Sequence, residues 1–487
     1  MTGSVKLTGA SSSLGKIWNS IKWSEVNAKV QRLQMRIAKA VVEKRWNKVK
    51  SLQWLLTHSF EAKLLAVRRV TSRKGAKTPG VDNVRWNTPA RKMRGAFSLQ
   101  SRGYEALPLR RILIPKKNGK VRPLGIPTLK DRAMQALYLL AVEPTSETLA
   151  DPNSYGFRKY RGCRDAIAQC FCALAKKDSP RWILEADIKA CFDWINHDWL
   201  LKNVCIDKKI LKQWLKCGYF ENNKLYPTKA GTPQGGVISP TLANTALDGL
   251  EQAVKTVWSR KTKINFVRYA DDFIITASTE EVLTEKVLPI VKEFLAERGL
   301  TLSEEKTKIT RIENGFDFLG QNIRKFNGKY HAEPSEGNIK AFYENIRFVI
   351  KSCRGSNAEK LITKLNPVVR GWANYHKYVQ SSRIFAEAEM NIYFLLNQWA
   401  RRKHGNKTPK WIRNHYWGKS HDRHHFSCTV QRKNGKSKIL ELVKASDIKL
   451  HKYLKIKGTS NPFNFEEMDY FKLRRIKENS IPMSKII

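Results

Sequence analysis

The stretch of sequence that decides the fold is an apolar, strand-prone run interrupted by two adjacent carboxylates, Phe266-Val267-Arg268-Tyr269-Ala270-Asp271-Asp272-Phe273-Ile274-Ile275. Aspartate is depleted in strands, and the burial of an unpaired ionised carboxylate is very costly. The pair therefore predicts a hairpin whose tip presents Asp271 and Asp272 to metal ions. A solvated turn would also account for an Asp-Asp pair taken alone.

A second carboxylate occupies a similar position at the end of an apolar run, Trp182-Ile183-Leu184-Glu185-Ala186-Asp187-Ile188. Carboxylate oxygens are the ligands that Mg²⁺ prefers. Three carboxylates from two strand ends could hold two metal ions about 3.5–4 Å apart, as in phosphoryl transfer of the polymerase type. The sequence therefore predicts two Mg²⁺ ions at Asp187, Asp271 and Asp272, with Mn²⁺ as a substitute.

The overall charge indicates a polyanionic partner. The 487 residues include 90 Lys and Arg but only 43 Asp and Glu, which gives a formal net charge of +47. A folded basic protein of this kind favours nucleic acid, with an anionic membrane surface as the weaker alternative. The eight cysteines include no C-x-x-C pair, and no apolar run of about 18 residues is present to span a membrane. We therefore expect no membrane partner.

Mixed strand and helix patterns along the chain predict an α+β fold. Residues 107–127 read as a hairpin with an Asn-Gly turn, and Val26–Leu56 reads as one helical region with a basic face that includes Arg36 and Lys44. That face could be merely solvated, but its one-sided charge favours RNA. From about residue 335 the strand signals fade into helices, and the tail from about 405 is basic and aromatic.

Several blocks of the sequence resemble the group II intron-encoded branch of the reverse transcriptases. Tyr269-Ala270-Asp271-Asp272 resembles their catalytic box, and further blocks follow in register from about residue 20 to about 475. They are Ser59–Asp82, Val121–Pro127, Asn153–Arg158, Ala230–Pro240, Phe316–Gly320 and Asn366–Tyr375. The resemblance implies a right-hand polymerase with fingers and palm, a helical thumb, and a small basic C-terminal domain.

The resemblance also implies roles for individual residues. Asp187, Asp271 and Asp272 would be catalytic and would bind the metals with the backbone carbonyl of Ile188, while Phe192 would be the gate beside the incoming sugar or an ordinary core residue. Lys116 and Arg122 would clamp the triphosphate, with Lys120 as a competing candidate, and Gln234 would contact the ribose. Phe318-Leu319-Gly320 resembles the strand that grips the primer, and thumb aromatics such as Trp372, Tyr375 and His376 would stack on nucleic acid or pack in the core.

The same resemblance divides the chain into four functional segments. Residues 1–82 would form an N-terminal extension that binds RNA through residues including Arg36, Lys44, Arg73, Lys74 and Lys77. Residues 83–330 would form the fingers and palm, residues 331–404 the thumb or maturase domain, and residues 405–487 a DNA-binding domain. Many relatives continue into an endonuclease, and since no cysteine follows Cys428 we expect none here.

The activity implied is RNA-directed DNA synthesis combined with a maturase role. The protein would bind its group II intron RNA, promote splicing, and copy the intron at a DNA target during retrohoming. Its partners would be that RNA, target DNA, the template–primer duplex and dNTPs, in a bacterial cytoplasm and nucleoid. A domesticated reverse transcriptase of phage defence or DNA repair is the alternative, and a splicing factor without polymerase activity is less favoured because the catalytic boxes look intact.

Overall fold

The computed structural model describes residues 11–72, 74–115, 119, 121–222, 224–420, 423–431, 435 and 437–477. Two compact units are present. The first comprises residues up to 169, 182–309 and 456–473, and the second comprises 170–181, 310–455 and the residues from 474 onward. Within the described part of the chain, no helix is long and apolar enough to cross a membrane.

The first unit begins with five helices, because apolar residues recur at helical spacing. They are α1 (Ser11–Asn19), α2 (Trp23–Val42), α3 (Trp46–His58), α4 (Phe60–Thr71) and α5 (Pro89–Ser98). The helical region predicted over residues 26–56 is confirmed, but as two helices, because Lys44 has a φ of 55° between α2 and α3. The N–H of Arg45 bonds the Ala40 carbonyl and that of Lys44 bonds Val41, which is a Schellman cap. Such caps usually carry glycine, so Lys44 gave no breaking signal.

The predicted hairpin over residues 107–127 is confirmed as β1 (Leu109–Pro115) and β2 (Val121–Ile126), paired antiparallel. The helix that follows, α6, runs Leu129–Leu149 through the main hydrophobic core. It begins after Thr128, whose hydroxyl accepts the Asp131 N–H. The unit continues with α7 (Cys163–Leu174), β3 (Trp182–Asp187), α8 (Cys191–Trp194), α9 (His197–Asn203), α10 (Lys208–Lys216), β4 (Tyr219–Glu221) and β5 (Lys224–Tyr226).

The sheet that carries the carboxylates is completed by the next elements. These are α11 (Ser239–Leu247), α12 (Leu250–Lys255), β6 (Asn265–Tyr269), β7 (Asp272–Ala277), a π-helical turn Val282–Val287, α13 (Leu288–Ala296) and β8 (Lys308–Arg311). The strand order is β6-β7-β3-β8. Strands β6 and β7 are buried through most of their length, and helices α6 and α11 add buried side chains to the same core. The sheet is therefore rigidly supported beneath the Asp-Asp pair.

The second unit holds two small sheets and a helical bundle. Its elements are β9 (Phe316–Phe318), β10 (Gln321–Phe326), β11 (Lys329–Pro334), α14 (Glu336–Ser352), α15 (Ala358–His376), α16 (Ser382–Lys403), α17 (Pro409–Tyr416), β12 (Trp417–Ser420), β13 (Arg423–Gln431) and β14 (Ser437–Glu441). The last helix, α18, spans Met468–Lys477, and its residues up to 473 belong to the first unit. The sequence does not predict strands in the basic tail, but β12, β13 and β14 form an antiparallel sheet there. Polar residues such as Lys, His, Ser and Thr make up most of these strands, so no apolar run marks them in the sequence.

Candidate active site

The Asp-Asp pair lies at the tip of a tight hairpin, as the sequence predicts. Strands β6 and β7 are joined by Ala270 and Asp271, and the backbone of Ala270 is left-handed with a φ of 60°. Strand β3 pairs with β7 so that Asp187 lies directly opposite Asp272. Directly opposed residues in an antiparallel pair have Cα atoms about 4.5–5.5 Å apart. The structure therefore brings Asp187 and Asp272 together and places Asp271 in the adjoining turn.

The backbone after β3 is tied to the same turn. The Ile188 N–H donates to the Asp271 carbonyl at 3.4 Å, and the Ser303 N–H donates to the Asp187 carbonyl at 2.8 Å. These contacts fix the end of β3 beside the hairpin. They also keep Ile188 next to the carboxylates, where its predicted role as a carbonyl ligand stays a prediction.

The carboxylates repel one another in a partly desolvated setting. Burial raises the pKa of Asp272 to about 7, with repulsion from Asp187 and Asp271 adding to the effect. Burial also raises the pKa of Asp271, again with repulsion from Asp187. The Lys306 ammonium lies 2.6 Å from Asp187 Oδ2 and lowers both values. The site therefore holds more negative charge than one lysine balances, and it favours added cations.

The described residues contain no group of three Asp, Glu, His or Cys side chains already arranged as a metal cage. The donors are nonetheless hard carboxylate oxygens, and the Lys306 ammonium stands against one of them as a cation would. Mg²⁺ is commonly held by one or two carboxylates together with substrate phosphates and water. The residues present fit divalent ions whose coordination is completed by phosphate oxygens and water.

Phe192 lies five residues after Asp187, the last residue of β3, and a sharp turn separates the two. Ala190 adopts a left-handed φ of 46° immediately before α8, which turns the chain so that Phe192 follows the end of β3. The Phe192 ring is half-buried, packs on the main core and meets Phe157 edge to face at 6.3 Å. The Phe192 ring is thus partly packed in the core and partly exposed to solvent. Its role as a sugar gate stays a prediction.

The loop that carries Gln234 packs closely against both β2 and α8. A Cβ on Gly235 would collide with the Gly125 carbonyl, and one on Gly231 would lie 2.5 Å from the Phe192 carbonyl. Gly231 also has a φ of 81°, which favours glycine. Gln234 Nε2 donates to the Asp193 carboxylate at 3.3 Å. The glycines therefore allow the close approach that sets Gln234 beside the Phe192 turn.

Of the predicted triphosphate clamp, Arg122 is the member that the structure describes. It is exposed on β2, opposite Ile114, and its charge lowers the pKa of Asp271. Arg122 thus contributes positive charge that favours the ionised form of Asp271. Lys116 and its competitor Lys120 lie outside the described residues, so the choice between them stays open.

Three of the predicted RNA-binding residues are exposed in the first unit: Arg36, Lys44 and Lys77. Arg73 and the side chain of Lys74 lie outside the described residues. The basic loop itself is anchored, because the Arg132 guanidinium donates to the Gly75 carbonyl at 2.8 Å and to the Thr78 carbonyl at 2.6 Å. The loop is therefore held on α6, which sequence reasoning did not foresee.

The aromatic residues of α15, for which stacking on nucleic acid and packing in the core were both open, contact other parts of the protein. Trp372 stacks on Phe342 at 4.1 Å and its Nε1 donates to Asn338, while His376 is fully buried. Tyr375 is partly exposed, but its hydroxyl donates to the Leu319 carbonyl at 2.7 Å. Leu319 and Gly320 both have positive φ. The block predicted as a primer-gripping strand therefore ends at Phe318 and turns, because two successive left-handed residues cannot continue a strand.

Sequence reasoning missed three residues that support the hairpin. Arg268 is fully buried in β6 and its guanidinium bonds Asp248 at 2.5 Å. Burial raises the pKa of Asp248 and the Arg268 charge opposes that rise. Gly156 lies against the backbone of Tyr269 and Ala270, and Lys306 bonds Asp187. An arginine inside an otherwise apolar strand was the signal available for the buried ion pair.

Three family models match successive parts of the chain. Residues 18–99 match the N-terminal domain of reverse transcriptase, residues 114–323 match reverse transcriptase (RNA-dependent DNA polymerase), and residues 339–417 match the group II intron, maturase-specific domain. The polymerase match contains Asp187, Asp271 and Asp272. These domains define a reverse transcriptase with a maturase-specific domain attached.

Curated relatives place the chain in its branch of that class. It is 34% identical to protein YkfC of Escherichia coli over 312 residues, which cover 54% of this chain and 81% of YkfC. It is 30% identical to group II intron-encoded protein LtrA of Lactococcus lactis over 352 residues, covering 56% of this chain and 58% of LtrA. A 91 kDa protein in a cob intron of Schizosaccharomyces pombe is 25% identical, with 72% and 51% of the two chains covered. The chain belongs to the family of group II intron-encoded reverse transcriptases with a maturase domain.

Proposed function

We propose that this protein is an RNA-directed DNA polymerase that uses two Mg²⁺ ions at Asp187, Asp271 and Asp272. The observation that carries the proposal is the register of β3 and β7, which sets Asp187 opposite Asp272 beside the turn at Asp271. Bound divalent ions would lower the pKa of a primer 3′-hydroxyl and neutralise the leaving pyrophosphate, with Mn²⁺ as a substitute. Asp187, Asp271 and Asp272 would hold the ions, and the Lys306 ammonium, 2.6 Å from Asp187 Oδ2, supplies positive charge at the same carboxylates.

The nucleotide contacts in this proposal come from the surrounding loops. Arg122 bonds the triphosphate, together with Lys116 or Lys120 from the turn of the same hairpin. Phe192 blocks a ribose 2′-hydroxyl and so selects deoxynucleotides, while Gln234 and the Ile188 carbonyl complete the contacts. The close packing of Gly231 on Phe192 and of Gly235 on Gly125 supports this arrangement, because one loop then couples the sugar gate to the triphosphate hairpin.

We further propose that the protein acts as the maturase of its own group II intron RNA and copies that RNA at a DNA target during retrohoming. Support comes from the maturase-specific match at residues 339–417 and from the net charge of +47. Residues 1–82, including Arg36, Lys44 and Lys77, would bind intron RNA, residues 83–330 would polymerise, residues 331–404 would form the thumb, and residues 405–487 would bind target DNA.

The test is primer extension by the full chain on a poly(rA) template with an oligo(dT) primer and Mg²⁺. The double substitution Asp271→Ala with Asp272→Ala removes two of the three carboxylates, so we expect extension to fall by about a thousandfold or more. Filter binding of the RNA that co-purifies with the protein should change little, because the substitutions lie at the hairpin tip.

Asp198→Asn provides the matched control, since it removes an exposed carboxylate at the start of α9 while polymerisation continues. Wild-type extension by the double variant would refute the catalytic assignment. Equal loss of extension and RNA binding would show instead that the pair is structural. Co-purification of a mixed RNA population, without the transcript that flanks the gene, would refute the maturase role while leaving the polymerase chemistry intact.

A further inference from the structure

A pocket in the first unit, remote in sequence from the catalytic carboxylates, lies where the end of α3 and the start of α4 meet the segment after α5 and the middle of α6. Its volume is about 230 Å³. A water molecule occupies about 30 Å³ of liquid, so the pocket has room for a ring-sized group. Its floor is apolar and fully buried, formed by Leu99, Met134 and Leu137.

The rim of the pocket is polar and holds hydrogen-bonding groups of both kinds. His58 Nδ1 lies 2.8 Å from the Trp54 carbonyl, so that nitrogen donates and Nε2 is left as an acceptor, 3.5 Å from the Ser101 hydroxyl. The Tyr138 hydroxyl bonds the same serine, and burial raises its pKa to about 12, so it stays protonated and able to donate. An apolar floor beneath a mixed rim matches the flat faces and polar edges of a nucleobase.

The charge at the rim is positive and not neutralised within the pocket. Lys63 is half-buried there and Arg102 is exposed beside it, while the described residues that line the pocket include no Asp or Glu. Burial lowers the pKa of Lys63, and no carboxylate offsets that effect. A half-buried ammonium without an acidic partner favours an anionic group such as a phosphate.

An aromatic platform adjoins the pocket. Trp54 is 62% exposed and stacks on His58 with ring centroids 4.2 Å apart and planes 24° from parallel. His58 also lines the pocket, so one face of the stack borders the cavity. Exposed tryptophans of this kind serve as stacking surfaces for single-stranded nucleic acid.

We propose that this pocket captures one unpaired nucleobase of single-stranded RNA, with the adjoining phosphate at Lys63 and Arg102 and a neighbouring base stacked on Trp54. The inference rests on the proposed RNA-binding function and deepens it, because it gives the N-terminal helices a way to recognise unpaired nucleotides in addition to backbone charge. Duplex RNA keeps its bases stacked and paired, so the pocket discriminates against it.

The test uses the full chain and two probes, a fluorescein-labelled single-stranded RNA that carries one 2-aminopurine and a blunt RNA hairpin of the same length that is closed by a non-nucleotide linker and so has no unpaired base. Trp54→Ala should weaken single-strand binding by about tenfold, since stacking on one aromatic side chain is worth about 1–3 kcal/mol per base. Ser101→Trp, which fills the pocket, should weaken it similarly and abolish the 2-aminopurine signal. Binding of the hairpin should be unchanged.

Trp46→Ala is the matched control, because Trp46 is also exposed on α3, at 41%, but does not line the pocket. Its affinity for the single strand should stay within about twofold of wild type. Circular dichroism melting shows whether each variant folds. Arg102→Gln, a substitution at an exposed residue, provides a second readout, because it should reduce the salt dependence of the affinity for the single strand.

Three outcomes would overturn the proposal. Wild-type affinity of Trp54→Ala and Ser101→Trp for the single strand would assign the surface to another partner, such as a protein. Equal losses of affinity for the single strand and for the hairpin would indicate a general charge effect. Full displacement of 2-aminopurine by AMP without loss of RNA binding would assign the pocket to a free nucleotide. The Asp271→Ala, Asp272→Ala double variant should keep wild-type affinity for the single strand, so a failure of the pocket is distinct from a failure of the polymerase assignment.

Discussion

Gly156 is a small residue on which the geometry of the turn at Ala270 and Asp271 depends. The segment from Asn153 to Arg158 runs beside β6, where the Tyr155 N–H bonds the Arg268 carbonyl and the Arg268 N–H bonds the Asn153 carbonyl, each at 2.9 Å. This contact brings Gly156 against the peptide that joins Tyr269 to Ala270. Ala270 already has a left-handed backbone, so the turn has little freedom to move away.

Gly156→Ala should therefore displace the turn and reduce primer extension. The added Cβ would lie 3.0 Å from the Tyr269 carbonyl carbon and closer still to the Ala270 nitrogen, both of which are backbone atoms. Overpacking of this kind costs about 1–3 kcal/mol, measured as a lower urea midpoint. Gly162→Ala, four residues beyond that segment and with no atom within 4 Å of its Cβ, should leave both stability and extension near wild type. Equal behaviour of the two variants would contradict the steric argument.

At the scale of the element, the strands and turns around Asp187 and Asp272 follow directly from the sequence, whereas other elements do not. Apolar runs that end in carboxylates predict β3, β6 and β7, because burial decides their conformation. The cap at Lys44 could not be predicted, since nothing in a lysine indicates a left-handed backbone. The sheet of β12, β13 and β14 was missed because tertiary packing of Phe426 and Trp417, rather than local alternation, holds it together.

His376, at the end of α15, joins three elements of the second unit and makes their packing sensitive to pH. Its Nε2 lies 3.0 Å from Asn338 of α14, and its Nδ1 contacts Gln321 of β10. Burial lowers the pKa of His376 to about 4, below its ordinary value of 6.5. The unfolded chain therefore binds more protons than the folded chain between these values, and stability falls as the pH drops from about 6.5 to about 4.

His376→Gln should flatten this pH dependence, because glutamine keeps hydrogen-bonding groups without titrating. The histidine contributes on the order of 3 kcal/mol across the window, from the shift in its pKa. The measurement is the difference between wild-type and variant urea midpoints at pH 7 and at pH 4.5, so that titrating carboxylates cancel. His331→Gln, at a partly exposed histidine of β11, serves as the control. A constant difference across the pH range would refute the assignment.

At the scale of the whole molecule, the sequence predicts contiguous functional segments, but the compact units are not contiguous. The α+β class and the order of the blocks could be predicted, because the blocks carry local signals for strand, turn and charge. The return of residues 456–473 to the first unit could not, since it depends on contacts across long sequence separation. The Arg161 guanidinium, for example, donates to the carbonyls of Gly458 and Ser460, about 300 residues further along the chain.

This returning segment should stabilise the unit that contains Asp187, Asp271 and Asp272. Phe463 is 3% exposed and lies beneath the Lys159 ammonium, and the Ile456 N–H bonds Asp165 at 2.8 Å. Phe463→Ala should lower the free energy of unfolding of the first unit by about 3–5 kcal/mol, measured from urea midpoints of the full chain. Phe465, two residues away, is 73% exposed, so Phe465→Ala should cost less than about 1 kcal/mol. Equal losses in the free energy of unfolding for the two variants would mean that the segment is not part of the folding unit. A large cost at Phe463 alone would mean that residues 456–473 complete the fold of the first unit, so that truncating the chain before residue 456 weakens primer extension through lost stability.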